Sequence, residues 1–151
     1  MKLAEALIER AEIQKKNGQL SRRIKDNVKV QEGDTPAEKP EELIEEYERN
    51  MERFLELVRR INLTNSNTFF DGEMNVADAI ARRDYLGSRI GVYREFYEAA
   101  AIRFNRYNRS EVKFVRSVNP KELQGKINAL SKEYRELDTK LQGINWTIDL
   151  L

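Results

Sequence analysis

The sequence contains no cysteine and no histidine. The first absence excludes disulfides, iron–sulfur ligation, thiolate zinc sites and cysteine nucleophiles. The second removes imidazole as a metal ligand, every histidine-based triad and the commonest general base near neutral pH. Glycine is sparse, and Gly18, Gly33 and Gly72 stand alone, so no phosphate-cradling loop is expected. Long apolar runs are also missing. The longest, Ala99 to Ile102, is far short of the roughly 20 residues that span a bilayer. Glu5, Glu9, Arg10 and Glu12 interrupt the opening segment, which leaves no core for a signal peptide. The closing residues Ile148-Asp149-Leu150-Leu151 carry no prenylation or sorting motif. The expectation is a soluble cytoplasmic protein with no membrane partner.

What is present points to helices. The chain is 151 residues, the size of a single domain spanning 1–151, and 35% of it is charged. Basic and acidic residues nearly balance, 27 against 26. That balance argues against nonspecific nucleic-acid binding, which calls for a strongly basic domain. Apolar residues recur at alternating three- and four-residue steps in four segments, predicting helices over about 2–27, 41–66, 75–107 and 120–145. The first carries Leu3, Ala6, Ile13, Leu20 and Ile24, but Arg10 and Asn17 occupy apolar slots. Asn17-Gly18 is a turn-like pair and predicts a kink there. The second carries Ile44, Tyr47, Met51, Phe54, Val58 and Ile61. The third carries Val76, Ala79, Leu86, Ile90, Tyr93, Tyr97, Ala100, Phe104 and Tyr107, broken by Arg83. The fourth repeats Leu123, Ile127, Leu130, Tyr134, Leu137, Leu141 and Ile144 at heptad spacing.

Between the helices, Phe69 to Met74 reads as a tiny hairpin with Asp71-Gly72 at its tip. Alternation over 111–118 predicts a short strand. The fold class is therefore all-α: a long antiparallel four-helix, coiled-coil-like bundle with one or two short β segments. If the third helix is one rod, Phe69-Phe70 and 112–118 lie at its opposite ends, and edge pairing between subunits follows. The expected partner is a second copy of the chain.

Several blocks together resemble a known family. They are Met1-Lys2-Leu3-Ala4-Glu5-Ala6-Leu7-Ile8-Glu9-Arg10, Val30-Gln31-Glu32-Gly33, Ile61-Asn62-Leu63-Thr64-Asn65 and Ala81-Arg82-Arg83-Asp84. Tyr107-Asn108-Arg109-Ser110-Glu111-Val112-Lys113-Phe114, Lys132 to Asp138 and Asn145-Trp146 belong with them. In combination they resemble the septicolysin-like group of small bacterial helical proteins, over essentially the whole chain. The resemblance implies a helical, oligomeric, cytoplasmic protein and names no chemistry. A pore former would show a long alternating strand pair or a helix with a broad, weakly charged apolar face, and the sequence shows neither.

Three groups of residues are candidate sites. Arg103, Arg106, Arg109, Lys113 and Arg116 form a basic run interleaved with Phe104, Tyr107 and Phe114. Guanidinium groups beside aromatics hold phosphate or stack on bases. The plainer reading pairs them with the acidic stretch from Glu38 to Glu56 across a helix or subunit contact. Arg10, Asn17, Asn65 and Arg83 lie in or near the seams, where polar residues fix register and oligomer state. Carboxylates offer a third possibility, a divalent cation held by oxygen ligands, with Glu133 and Asp138 or Glu5 and Glu9 as contributors. No cofactor is otherwise expected and no catalytic residue stands out. The favoured function is a non-catalytic, homo-oligomeric structural or interaction protein. Its alternatives are a binder of an anionic ligand or nucleic acid through the basic run, and a carboxylate metal site.

Overall fold

The computed structural model describes residues 1–101 and 113–151. It is mainly helical, with four long helices and one two-stranded sheet. The elements run α1 (Leu3–Asn27), α2 (Pro40–Asn67), β1 (Phe69–Asp71), β2 (Met74–Asn75), α3 (Val76–Ala99) and α4 (Pro120–Thr147). The chain divides into two compact units, Met1–Val76 with Gln142–Leu151, and Ala77–Leu141.

The first unit is built on an antiparallel α1–α2 pair. Glu9 meets Arg53 near one end, and Arg23 meets Glu38 at the other. α1 starts where the Lys2 N–H donates to the Glu5 carboxylate at 2.6 Å, satisfying a donor that the helix leaves open. It continues unbroken through Gly18 to Asn27. No turn interrupts the helix at Asn17-Gly18, where Asn17 is held by contacts to Asn50 and Met51 on α2. The following loop is closed by Asn27, whose amide donates to the Arg23 carbonyl at 2.8 Å and accepts the Glu38 N–H at 3.0 Å. Within the loop, Asp34 N–H returns to the Gln31 carbonyl at 3.0 Å, and Gly33 supplies the positive φ of 88° that this turn needs. Pro40 then occupies the first turn of α2, followed by Glu41 and Glu42, as the helix dipole favours.

Leu3, Ala6, Ile13, Leu57, Ile61 and Leu150 form the core of this unit, with Leu7 and Phe54 against it. Leu150 reaches that core because residues 147–151 are strapped onto the start of α1. Leu3 N–H donates to the Ile148 carbonyl at 2.9 Å and Leu150 N–H to the Met1 carbonyl at 3.0 Å. The Lys2 ammonium bonds the Thr147 carbonyl and sits 2.9 Å from the Asp149 carboxylate. Thr64, wholly buried, finishes the strap by accepting the Leu151 N–H at 3.0 Å while donating to the Arg60 carbonyl.

β1 and β2 pair with each other as an antiparallel hairpin, Phe69 opposite Asn75 and Asp71 opposite Met74. Gly72, at φ 56°, opens its turn. β1 thus takes a ladder partner from its own hairpin, as expected from the Asp71-Gly72 turn.

The second unit is an antiparallel α3–α4 pair. Arg83 meets Asp138, and one turn further along α3 the open side of Gly87 faces the Tyr134 ring. Leu86, Ile90 and Leu130 are its buried centre, with Tyr93, Tyr134 and Leu137 packed around them. α3 ends at Ala99, where the expected rod ran to 107; residues 102–107 lie outside the described residues. Over 113–118 the chain is irregular, and the expected strand has no ladder there; 111 and 112 lie outside the described residues. Arg116 instead ties this segment back to the end of α3, its Nε donating to the Ala100 carbonyl at 2.9 Å. At the start of α4, Asn119 accepts the Lys121 N–H at 2.9 Å and Pro120 takes the first helical position.

Candidate functional site

The polar seam residues are each held by specific partners or left at the surface of their unit. Asn17 accepts a hydrogen bond from the Asn50 amide at 3.0 Å and donates to the Met51 sulfur at 3.3 Å. An amide pair between two helices penalises any other register, since a shifted pair leaves both amides unsatisfied. Arg83 lies between Asp84 at 2.8 Å and Asp138 at 3.3 Å, so it links α3 to α4. Its guanidinium pKa is raised, chiefly by the hydrogen bond to Asp84 and against the effect of burial. Arg10 and Asn65 are half-buried.

Beyond these stands a polar constellation that periodicity does not single out. Arg53 on α2 grips Glu9 on α1 through two bonds of 2.7 and 3.0 Å, and Glu56 through a third of 2.7 Å. The hydrogen bond from Arg53 holds the Glu9 carboxyl below the usual carboxylate range, and the two carboxylates together raise the Arg53 pKa. The carboxylates considered for a metal have other work. Glu133 pairs with Arg82, Asp138 with Arg83, Glu9 with Arg53, and Glu5 caps α1. Among the described residues no three acidic side chains are grouped as a metal site would need.

The acidic stretch of α2 is largely answered within its own unit. Glu38 pairs with Arg23, Glu42 with Lys39, Glu45 with Arg49, Glu46 with Lys16, and Glu56 with Arg53. Glu41, Glu48 and Glu52 form no ion pair among the described residues. Of the basic run, Arg103, Arg106 and Arg109 lie outside the described residues. Lys113 is exposed, and Arg116 is bonded to the Ala100 carbonyl.

Both units also leave apolar residues exposed. Between α1 and α2 runs a groove of about 710 Å³, with Ile24, Ile44, Tyr47, Met51 and Phe54 along it and Gln14, Asn17, Ser21, Lys25 and Glu48 as its polar members. Ile44, Met51 and Leu55 share one α2 face at steps of seven and four, and Leu55 is 58% exposed. On α3, Tyr85, Val92 and Phe96 repeat the same steps on a face that is also exposed, next to the buried Leu86–Ile90 seam. Arg89 lies alongside this stripe, with its guanidinium 5.4 Å from the Tyr85 ring and 6.0 Å from the Tyr93 ring. Tyr93 in turn meets Phe96 edge-on at 5.6 Å.

Residues 10–150 match a family of unknown function, DUF6847. The chain belongs to that family. Beyond DUF6847, the chain is similar to a solved structure described as a functionally unknown conserved protein from Corynebacterium diphtheriae. The two share 42% sequence identity and superpose with a TM-score of 0.94, over 100% of this chain and 99% of the other. A comparison with curated proteins returned no match.

Proposed function

We propose that this DUF6847 member is a non-catalytic protein that works by associating with copies of itself. The observation that carries the reading is the pair of apolar stripes left in water, Ile44, Met51 and Leu55 on α2 and Tyr85, Val92 and Phe96 on α3. Single exposed apolar residues are ordinary, whereas two helix-period rows of them are the form that a helix-packing contact takes. The absence of histidine and cysteine and the structural pairing of the half-buried charges point the same way. The sequence likeness to the septicolysin-like group carries the same expectation of a cytoplasmic oligomer.

The test is the solution mass of the wild type and of an Ile44→Lys/Met51→Lys variant by light scattering across a dilution series. The expected outcome is a defined oligomer that becomes a folded monomer in the variant. A wild-type chain that is monomeric at all concentrations contradicts the reading. A second reading, binding of an anionic ligand through Arg103, Arg106, Arg109 and Lys113, draws on the basic excess of that region. Arg106→Glu/Arg109→Glu separates the two. Loss of a bound anion with assembly intact favours the ligand site, and loss of assembly favours the interface.

A further inference from the structure

We propose that the self-association just described is made between unlike surfaces: the α2 stripe of one copy receives the α3 stripe of another. The inference rests on the self-association reading and adds which faces meet.

Three observations carry it. The stripes match in pattern and length, since Ile44-Met51-Leu55 and Tyr85-Val92-Phe96 both follow steps of seven and four residues. At 1.5 Å per residue each covers about 17 Å of helix. They also match in chemistry. Aliphatic and thioether side chains on α2 offer an adaptable bed for the α3 aromatics, and methionine sulfur packs well at ring edges.

The third observation is charge. The near-zero total conceals a division between the units. The Met1–Val76 and Gln142–Leu151 unit holds 13 basic and 17 acidic residues, and Ala77–Leu141 holds 14 basic and 9 acidic. The division is repeated at the stripes themselves. Glu41, Glu48 and Glu52 follow the α2 stripe along one side at helix spacing, and none has an ion pair among the described residues. Arg82 and Arg89 follow the α3 stripe at the same spacing; Arg82 is paired with Glu133, whereas Arg89 is engaged only with aromatic faces among the described residues. Placing like stripes together would set acidic row against acidic row, which opposes pairing; unlike stripes bring opposite rows together. A contact between unlike surfaces closes either as a reciprocal dimer or as a ring.

The lack of native cysteine makes the decisive experiment clean. Met51→Cys and Val92→Cys variants are prepared separately, mixed, and oxidised mildly. The expected result is a disulfide-linked dimer in the mixture and none with either variant alone. A second measurement uses charge. Glu48→Arg alone and Arg89→Glu alone should each weaken assembly by at least about tenfold, and the two changes in one chain should restore it. Cross-linking by Met51→Cys alone overturns the proposal, because like stripes then meet. So does assembly that neither charge reversal alters; in that case self-association stands and only the assignment of faces falls. A monomeric wild type removes both. Nucleic acid copurifying with a monomer, and released by nuclease, likewise overturns it.

Discussion

Arg53 holds Glu9 from one side and Glu56 from the other, so a single guanidinium joins α1 to α2 and braces its own helix. Because that bond lowers the Glu9 pKa from 4.5, ionised Glu9 stabilises the fold above that value, and the contribution is lost as pH falls through the folded-state pKa. Glu9→Gln should therefore melt a few degrees below wild type at pH 7, and the gap should close at a pH well below 4.5, read by thermal scans at both values. Thr64 is the other residue on which several contacts converge. Its hydroxyl joins the Leu151 N–H to the Arg60 carbonyl, and Arg60 Nε donates to the Leu151 carbonyl at 2.8 Å. Thr64→Val keeps the shape and strands the Leu151 donor, so a loss of about 1–3 kcal/mol is expected in denaturant unfolding. Neither residue is conspicuous in the sequence. An arginine among glutamates and a threonine near a helix end are common, and their partners lie 44 and 87 positions away.

At the scale of elements, what is local was readable. Pro40 and Pro120 stand at the first positions of their helices, Gly72 opens the β1–β2 hairpin, and helical period marks α1, α2, α3 and α4. Periodicity does not say which of two adjacent stripes a partner covers. On α2 the row through Ile44 and Met51 looks like the core seam, yet Leu57 is 0% exposed, Met51 is 37% exposed and Leu55 is 58% exposed. The choice is made by α1 and by the strap that carries Leu150, both remote in sequence. Leu57→Ala should accordingly cost about 2–5 kcal/mol of unfolding free energy. Leu55→Ala should change it by less than about 0.5 kcal/mol while weakening self-association, as paired unfolding and dilution experiments will show. Gly18 belongs here too. A Cβ added to Gly18 meets nothing within 4 Å, and the residue sits in a continuous helix. Gly18→Ala should therefore raise stability by about 0.5–1 kcal/mol by reducing the freedom of the unfolded chain.

For the whole molecule, two features of the sequence acquire meaning only when the chain is divided by its own contacts. A balanced total charge separates into an acidic unit and a basic one, and the surplus of apolar helix positions separates into covered seams and open stripes. Composition alone shows neither, because both depend on which residues the fold groups together. The proposed self-association draws on both features. Native mass spectrometry of the untagged wild type tests this most directly, since it reports subunit number and bound mass in one spectrum. A single defined oligomer at multiples of 17.8 kDa with no added mass is the predicted result. A monomer carrying a stoichiometric metal, nucleotide or nucleic acid would contradict it.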